Sequence, residues 1–225
     1  MESARRASGT DDADSAYAAA PGESVLLCSS PMDRPPVDAV TTTDAAAPAS
    51  TNVLAVALDG SVDDVADAWL RDAGRLPDRL AVVTVGESAR GAAAAASGGA
   101  TGLPDGVSTA SVSSPGDLTG LGIKLSQCLS SWEGGATTVR FDSLTTLLQF
   151  ADLKRVFRFV HVLTGRLDSA DAVGYFHVDP GAHDDQTLAT LRGLFDTVLE
   201  VGPDGEWVEA SATGVPFRPA PPDAS

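Results

Sequence analysis

Short apolar runs alternate along the chain with longer segments in which apolar residues recur every three or four positions. The runs are Ser24–Cys28 (SVLLC), Val53–Leu58 (VLAVAL), Leu80–Val85 (LAVVTV), Thr138–Phe141, Val173–Val178 (VGYFHV) and Thr197–Val201. They are nearly continuous rather than alternating, as strands of a parallel sheet covered on both faces must be. Val107–Val112 alternates instead, which suits a sheet edge. Helical spacing marks Val62–Ala73, Pro115–Trp132, Asp152–Leu167 and Asp184–Phe195. The second of these is expected to start with Ser114 as N-cap and Pro115 at the first helical position, where a missing N–H costs nothing. Its Leu118, Leu121, Leu125, Cys128, Leu129 and Trp132 form one apolar stripe. In the third helix Leu153, Val156, Phe157, Val160, Leu163 and Leu167 do the same, and Phe159 and Val162 extend the stripe beyond the core face. Strands alternating with helices predict a doubly wound α/β domain with a mostly parallel sheet in three αβα layers.

The length, 225 residues, fits one such domain. Residues 1–22 and 211–225 are polar or proline-rich and are expected to be disordered, leaving 23–210 as the folded unit. Residues 86–106 are low-complexity (GESARGAAAAASGGATGLPDG) and read as a long surface loop. No apolar run approaches the ~20 residues of a membrane span. Arg5-Arg6 is not followed by an apolar stretch, so a cytoplasmic protein is expected.

Charge narrows the functional classes. The net charge of −16 argues against nucleic acid and anionic membranes as partners, because both are held by Lys and Arg. Of the 31 acidic residues 24 are Asp, and Lys124 and Lys154 are the sole lysines. Such a balance suits a cytosol at molar salt, where the Debye length falls to about 3 Å and self-repulsion is screened. Cys28 and Cys128 show neither CxxC nor metal-ligand spacing and read as small buried hydrophobes.

In open α/β sheets ligands bind beyond the carboxyl ends of the strands, which here directs attention to Ser29, Asp59, Asp142-Ser143 and the segment His177–His183. At Thr137–Leu148 (TTVRFDSLTTLL) a strand ends in Asp142-Ser143-Leu144 and passes straight into a helix. A basic amphipathic helix (LKRVFRFVHVLTGRL) and a strand (AVGYFHVD) follow. This order resembles the RecA/KaiC branch of P-loop ATPases, and the stretch Phe141–Phe195 resembles KaiC-like proteins of halophilic archaea. The resemblance covers about residues 23–202. It implies a RecA/KaiC-type fold in which Asp142 and Ser143 stand where the Walker B residues bind the magnesium shell.

The same resemblance exposes what is missing. After the strand VLLC the family carries G-x-x-x-x-G-K-[ST], a glycine-rich loop whose N–H groups wrap the phosphates. Here the matching loop reads Ser29-Ser30-Pro31-Met32-Asp33-Arg34-Pro35-Pro36. Prolines at the Lys and Ser/Thr positions remove two N–H donors, the cation and the magnesium hydroxyl. Charge-assisted hydrogen bonds contribute roughly 1.5–3 kcal/mol each, so three or four losses take a micromolar site to about molar. The paired glutamates of KaiC-like enzymes are replaced by Asp59-Gly60, a poor substitute that reads better as a strand-end turn. Asp142 itself reads as a cap on the helix that follows it.

Two further constellations remain. His177, Asp179 and His183 (FHVDPGAHDD), with Asp142 on a neighbouring strand end, could supply zinc or manganese ligands. The same residues make an ordinary Asp-Pro-Gly turn and helix start. Lys154, Arg155 and Arg158, joined by Arg166, form the chain's concentration of positive charge, and Phe159 lies among them. They suit either docking of an acidic partner or local pairing with Asp152 and Asp168. The expectation is a non-catalytic interaction module without a cofactor, plausibly in signalling or transcriptional regulation, acting on a protein partner or a second copy. The alternatives are a weak nucleotide or metabolite sensor and a metal-dependent hydrolase built on Asp142, His177, Asp179 and His183.

Overall fold

The computed structural model describes residues 17–30, 32, 40–42, 52–86, 104–132, 135–202 and 207–210. Pro35-Pro36, nearly all of the 86–106 segment, and the ends 1–16 and 211–225 lie outside them.

Ten strands are present among the described residues: β1 (Tyr17–Ala19), β2 (Ser24–Cys28), β3 (Val40–Thr42), β4 (Asn52–Ala57), β5 (Arg79–Val85), β6 (Val107–Val112), β7 (Thr137–Asp142), β8 (Val173–Val178), β9 (Thr197–Val201) and β10 (Trp207–Glu209). Eight form one sheet in the order β10-β9-β2-β8-β7-β4-β5-β6. β10 runs antiparallel to β9, and the remaining pairs are parallel. The continuous apolar runs take the interior of the sheet: every residue of β2, β4 and β8 is buried. The alternating run, β6, is an edge strand, as its pattern predicts.

The helices are α1 (Val62–Asp72), α2 (Leu118–Ser131), α3 (Leu144–Phe150), α4 (Leu153–Ser169) and α5 (Asp185–Arg192). Each begins at a side chain that satisfies an otherwise orphaned N–H. Ser61 and Asp64 form a reciprocal capping box on α1, Asp152 Oδ1 accepts from Arg155 N on α4 (3.0 Å), and Asp184 Oδ1 accepts from Thr187 N on α5 (2.7 Å). One expectation is corrected at α2. Pro115 and Gly116 form a turn closed by Asp117 N to Ser114 O (3.0 Å), and the N-cap is Asp117, whose Oδ1 accepts from Gly120 N (2.8 Å). The helix therefore starts three residues later than its proline suggests.

Helices cover both faces of the sheet, completing the three-layer α/β fold. On one face α2, α3, α4 and α5 close over Leu26, Val56, Val83, Phe141 and Phe176. On the other, α1 packs Val62, Val65, Ala66 and Trp69 on Val53, Ala55, Leu80 and Val82. Beside α1 that second face carries β1, paired in parallel with β3 as a separate ribbon. Ala19 of β1 is fully buried against Val25, Leu27, Val173, Tyr175 and Leu199, and Tyr17 Oη donates to Glu23 Oε1 (2.8 Å). Order thus begins within the N-terminal segment expected to lack it. Three residues carry too little periodicity to announce a strand that tertiary contact creates. Cys28 and Cys128 are unpaired thiols packed with the core, and burial pushes Cys28 up to about 12. Among the described residues, no helix is long and apolar enough to cross a membrane.

Candidate functional site

Two places concentrate chemistry. The first is the strand-end crevice. Strands β7 and β8 sit between β2 and β4, so Ser29, His177 and Asp142 arrive at neighbouring strand ends. Alternation along β8 sends Phe176 and Val178 into the helix-covered core and His177 to the opposite face. There His177 Nε2 lies 2.9 Å from Ser29 Oγ and 3.1 Å from Ser29 O, and its Nδ1 lies 3.7 Å from Asp142 Oδ1.

The order Ser–His–Asp invites a reading as nucleophile, base and orienting acid. The hydrogen bonds do not single it out. Nε2 accepts from the Ser29 hydroxyl in one tautomer and donates to the Ser29 carbonyl in the other, so the ring is shared between two atoms of the same residue. Ser29 is also only 3% exposed. The trio ties three strand ends together.

The expected metal set is not assembled. Asp179 turns its Oδ1 onto Gly181 N (2.9 Å) within the Pro180–Ala182 turn, and its own N–H donates to Thr145 Oγ1 (2.9 Å). His183 Nε2 lies 3.0 Å from the same Thr145 oxygen, whose proton is free to be donated to it. Burial lowers the His183 pKa, with Asp179 and Asp184 opposing it. His177 and His183 are therefore committed to different partners. Among the described residues, no group of three His, Cys, Asp or Glu side chains is placed to hold a metal ion.

Nor does Asp142 cap the helix after it. The Asp142–Ser143 peptide is cis, and Ser143 is the N-cap of α3, its Oγ accepting from Thr146 N (3.1 Å). Thr146 Oγ1 in turn donates to Asp59 Oδ2 (2.7 Å), pinning the end of β4 to α3. Asp59 and Ser143 are thus engaged in local structure.

The second place is a groove of about 400 Å³ between α2 and α4. Leu118, Gly122, Ile123, Phe159 and Val162 line it, together with Arg155, Arg158 and Arg166. The two helices run side by side in the same direction. Arg155 reaches Gly116 O at one end (3.0 Å), and Arg166 bonds Ser126 Oγ toward the other. Among the described residues, no carboxylate lies within ion-pair distance of Arg155, Arg158, Arg166 or Lys154, so the expected pairing with Asp152 and Asp168 is not made. Lys154 is exposed on α4 but does not line the groove.

The apolar residues of the groove differ in role. Val162 and Ile123 are 55% and 52% exposed. Phe159 is half-buried, packs on the core and meets Phe141 at 6.0 Å between ring centroids. It does not lie beyond the core face. Phe159→Asp is accordingly expected to cost about 2 kcal/mol or more, a Tm drop of roughly 4–8 °C. Val162→Asp should leave stability within about 0.5 kcal/mol. Parallel thermal melts check both. The α2 half of the groove was missed in the sequence. Its signal is Ile123, which falls off the Leu118–Leu121–Leu125 stripe, beside Gly122, whose missing side chain leaves space above Phe159.

A family of unknown function, DUF7504, has a model that matches residues 22–201, and the chain belongs to that family. No curated protein matches. Among solved structures, the chain is similar to the Pyrococcus horikoshii OT3 protein designated PH0250, with 14% identity, 88% of this chain and 90% of that one covered, and a TM-score of 0.55. The uncharacterized protein PH0321 from Pyrococcus horikoshii, solved in complex with an unknown peptide, is similar at 11% identity over 82% and 80% of the two chains, with a TM-score of 0.48.

Proposed function

We propose that this DUF7504 protein is a non-catalytic interaction module: a RecA/KaiC-like core without nucleotide chemistry that works through protein contacts, in signalling or transcriptional control. The single observation that carries the reading is the groove between α2 and α4. It combines exposed apolar side chains with three arginines that lack carboxylate partners among the described residues, on a chain of net charge −16. Apolar centres rimmed by charge are typical of sites built for protein contact.

The strand ends support the negative half. Asp142 lies 3.7 Å from His177 and Asp59 accepts from Thr146, so the carboxylates at the two positions where the resemblance would look for nucleotide chemistry have protein neighbours. Pro35 and Pro36 stand where a phosphate loop needs its Lys and Ser/Thr. The Asp-rich, Lys-poor composition supports a high-salt cytoplasm as the proposed setting.

The test is affinity capture from source-cell extract at high salt, with wild type beside an Arg158→Glu, Val162→Asp double variant. Wild type should retain a defined partner that the variant loses at unchanged Tm. If both capture the same set, the groove is not the working surface.

A further inference from the structure

We infer that the occupant of the α2–α4 groove is an acidic amphipathic helix of a separate partner protein; this rests on the reading of the groove as the working surface. Three features select that chemistry.

The first is charge. Arg155, Arg158 and Arg166 all line the groove, on a chain with 31 acidic and 15 basic residues. Arg155 and Arg166 each donate toward α2, to Gly116 O and to Ser126 Oγ. These bonds hold the guanidinium groups in place, and a guanidinium has five N–H donors, so several remain for carboxylates. Prepositioned side chains lose less freedom on binding.

The second is shape. Arg155 and Arg166 are eleven residues apart on one helix, a span of about 16 Å at 1.5 Å per residue. An apolar floor of Leu118, Ile123, Phe159 and Val162 lies in the same groove. A channel between two parallel helices, of that length, suits a helix of about 12–15 residues with apolar anchors at i, i+3, i+4 and i+7. Its carboxylates would flank that stripe.

The third concerns the competing occupant, a second copy of this chain. The exposed large apolar side chains among the described residues are Met32, Leu70, Ile123, Phe150, Phe157, Val162 and Val208. Ile123 and Val162 belong to the groove itself, and Leu70, Phe150, Phe157 and Val208 sit on four different elements. α1 offers Asp63, Asp64 and Asp67, but its Val62, Val65, Ala66 and Trp69 are spent on the sheet. Among the described residues, another copy thus brings acid without an apolar row.

The experiment uses the full chain and a labelled synthetic helix of about 15 residues, with Leu and Phe at i, i+3, i+4 and i+7 and Glu on both flanks. A second peptide replaces each Glu by Lys. Fluorescence anisotropy at about 0.3 M KCl should show the Glu peptide binding at least tenfold more tightly than the Lys peptide. Arg158→Glu should weaken the Glu peptide about tenfold and strengthen the Lys peptide. Gly122→Leu, whose new Cβ meets only Phe159 Cε2 at an ordinary 3.7 Å, should fill the channel and weaken both at unchanged Tm. Equal binding of the two peptides, or indifference to both variants, overturns the acidic-helix assignment. So does concentration-dependent dimerisation abolished by Gly122→Leu, which would make a second copy the occupant. If the extract partner is still lost in the Arg158→Glu, Val162→Asp variant while the Glu peptide fails to bind, the working surface stands and only the chemistry of its occupant falls.

Discussion

Phe141→Ala is expected to destabilise the protein by about 3–5 kcal/mol, lowering Tm by roughly 6–20 °C, measurable by chemical denaturation and by thermal melts. Phe141 is 1% exposed, with ring centroids 5.6 Å from Phe176 and 6.0 Å from Phe159. Phe176 continues to Phe195 at 5.1 Å, so the ring row crosses from the sheet toward the last helix. Truncation removes a large buried surface and leaves a cavity that neighbouring rings cannot close without leaving their own contacts. The consequence reaches both candidate sites. Phe141 precedes Asp142 on β7, pairs in register with Phe176 beside His177, and supports Phe159 beneath the groove. A loss below about 1 kcal/mol would mean that the core on this face is far looser than its burial indicates.

The second large effect is set by the medium. Raising KCl from about 0.1 to 3 M should increase the melting midpoint by on the order of 10 °C. Two carboxylates about 10 Å apart in water repel by roughly 0.4 kcal/mol, and a net charge of −16 multiplies such terms over the surface. Salt near 1 M shortens the Debye length to about 3 Å and removes most of this repulsion, which compaction makes worse in the folded state than in the unfolded chain. The attraction to be lost is small at Arg71–Asp72, whose groups lie 3.9 Å apart with the arginine 69% exposed. A midpoint that stays flat or falls with salt would end the reading of the composition as salt adaptation.

The sheet was legible because its strands are buried on both faces. Runs such as VLAVAL and VGYFHV cannot sit elsewhere in a chain of this polarity, and all six residues of β8 are buried. Helix starts were legible from spacing to within a residue at 62, 152 and 184, where the structure shows Ser61, Asp152 and Asp184 as the caps. At α2 two signals competed, and the Pro115-Gly116 turn with Asp117 prevailed over proline at the first helical position. The basic rim of the groove was visible as a cluster on one helix. Its other wall was not, since nothing local says that α2 lies beside α4. The tie between Ser29 and His177 spans 148 residues and could not be read without the sheet order. The three metal candidates illustrate the reverse case. Spacing admitted a ligand set, but the Thr145 hydroxyl meets His183 Nε2 and the Asp179 N–H, while the Asp179 carboxylate accepts from Gly181 N.

Isothermal titration of ATP with magnesium into the full chain tests most directly the central proposal, that this α/β core works without a nucleotide. The proposed RecA/KaiC-like reading predicts heats equal to dilution up to about 1 mM ATP, since on that reading Pro35 and Pro36 stand where a phosphate loop needs its Lys and hydroxyl. Saturable binding at tens of micromolar, abolished by Asp142→Asn, would contradict it.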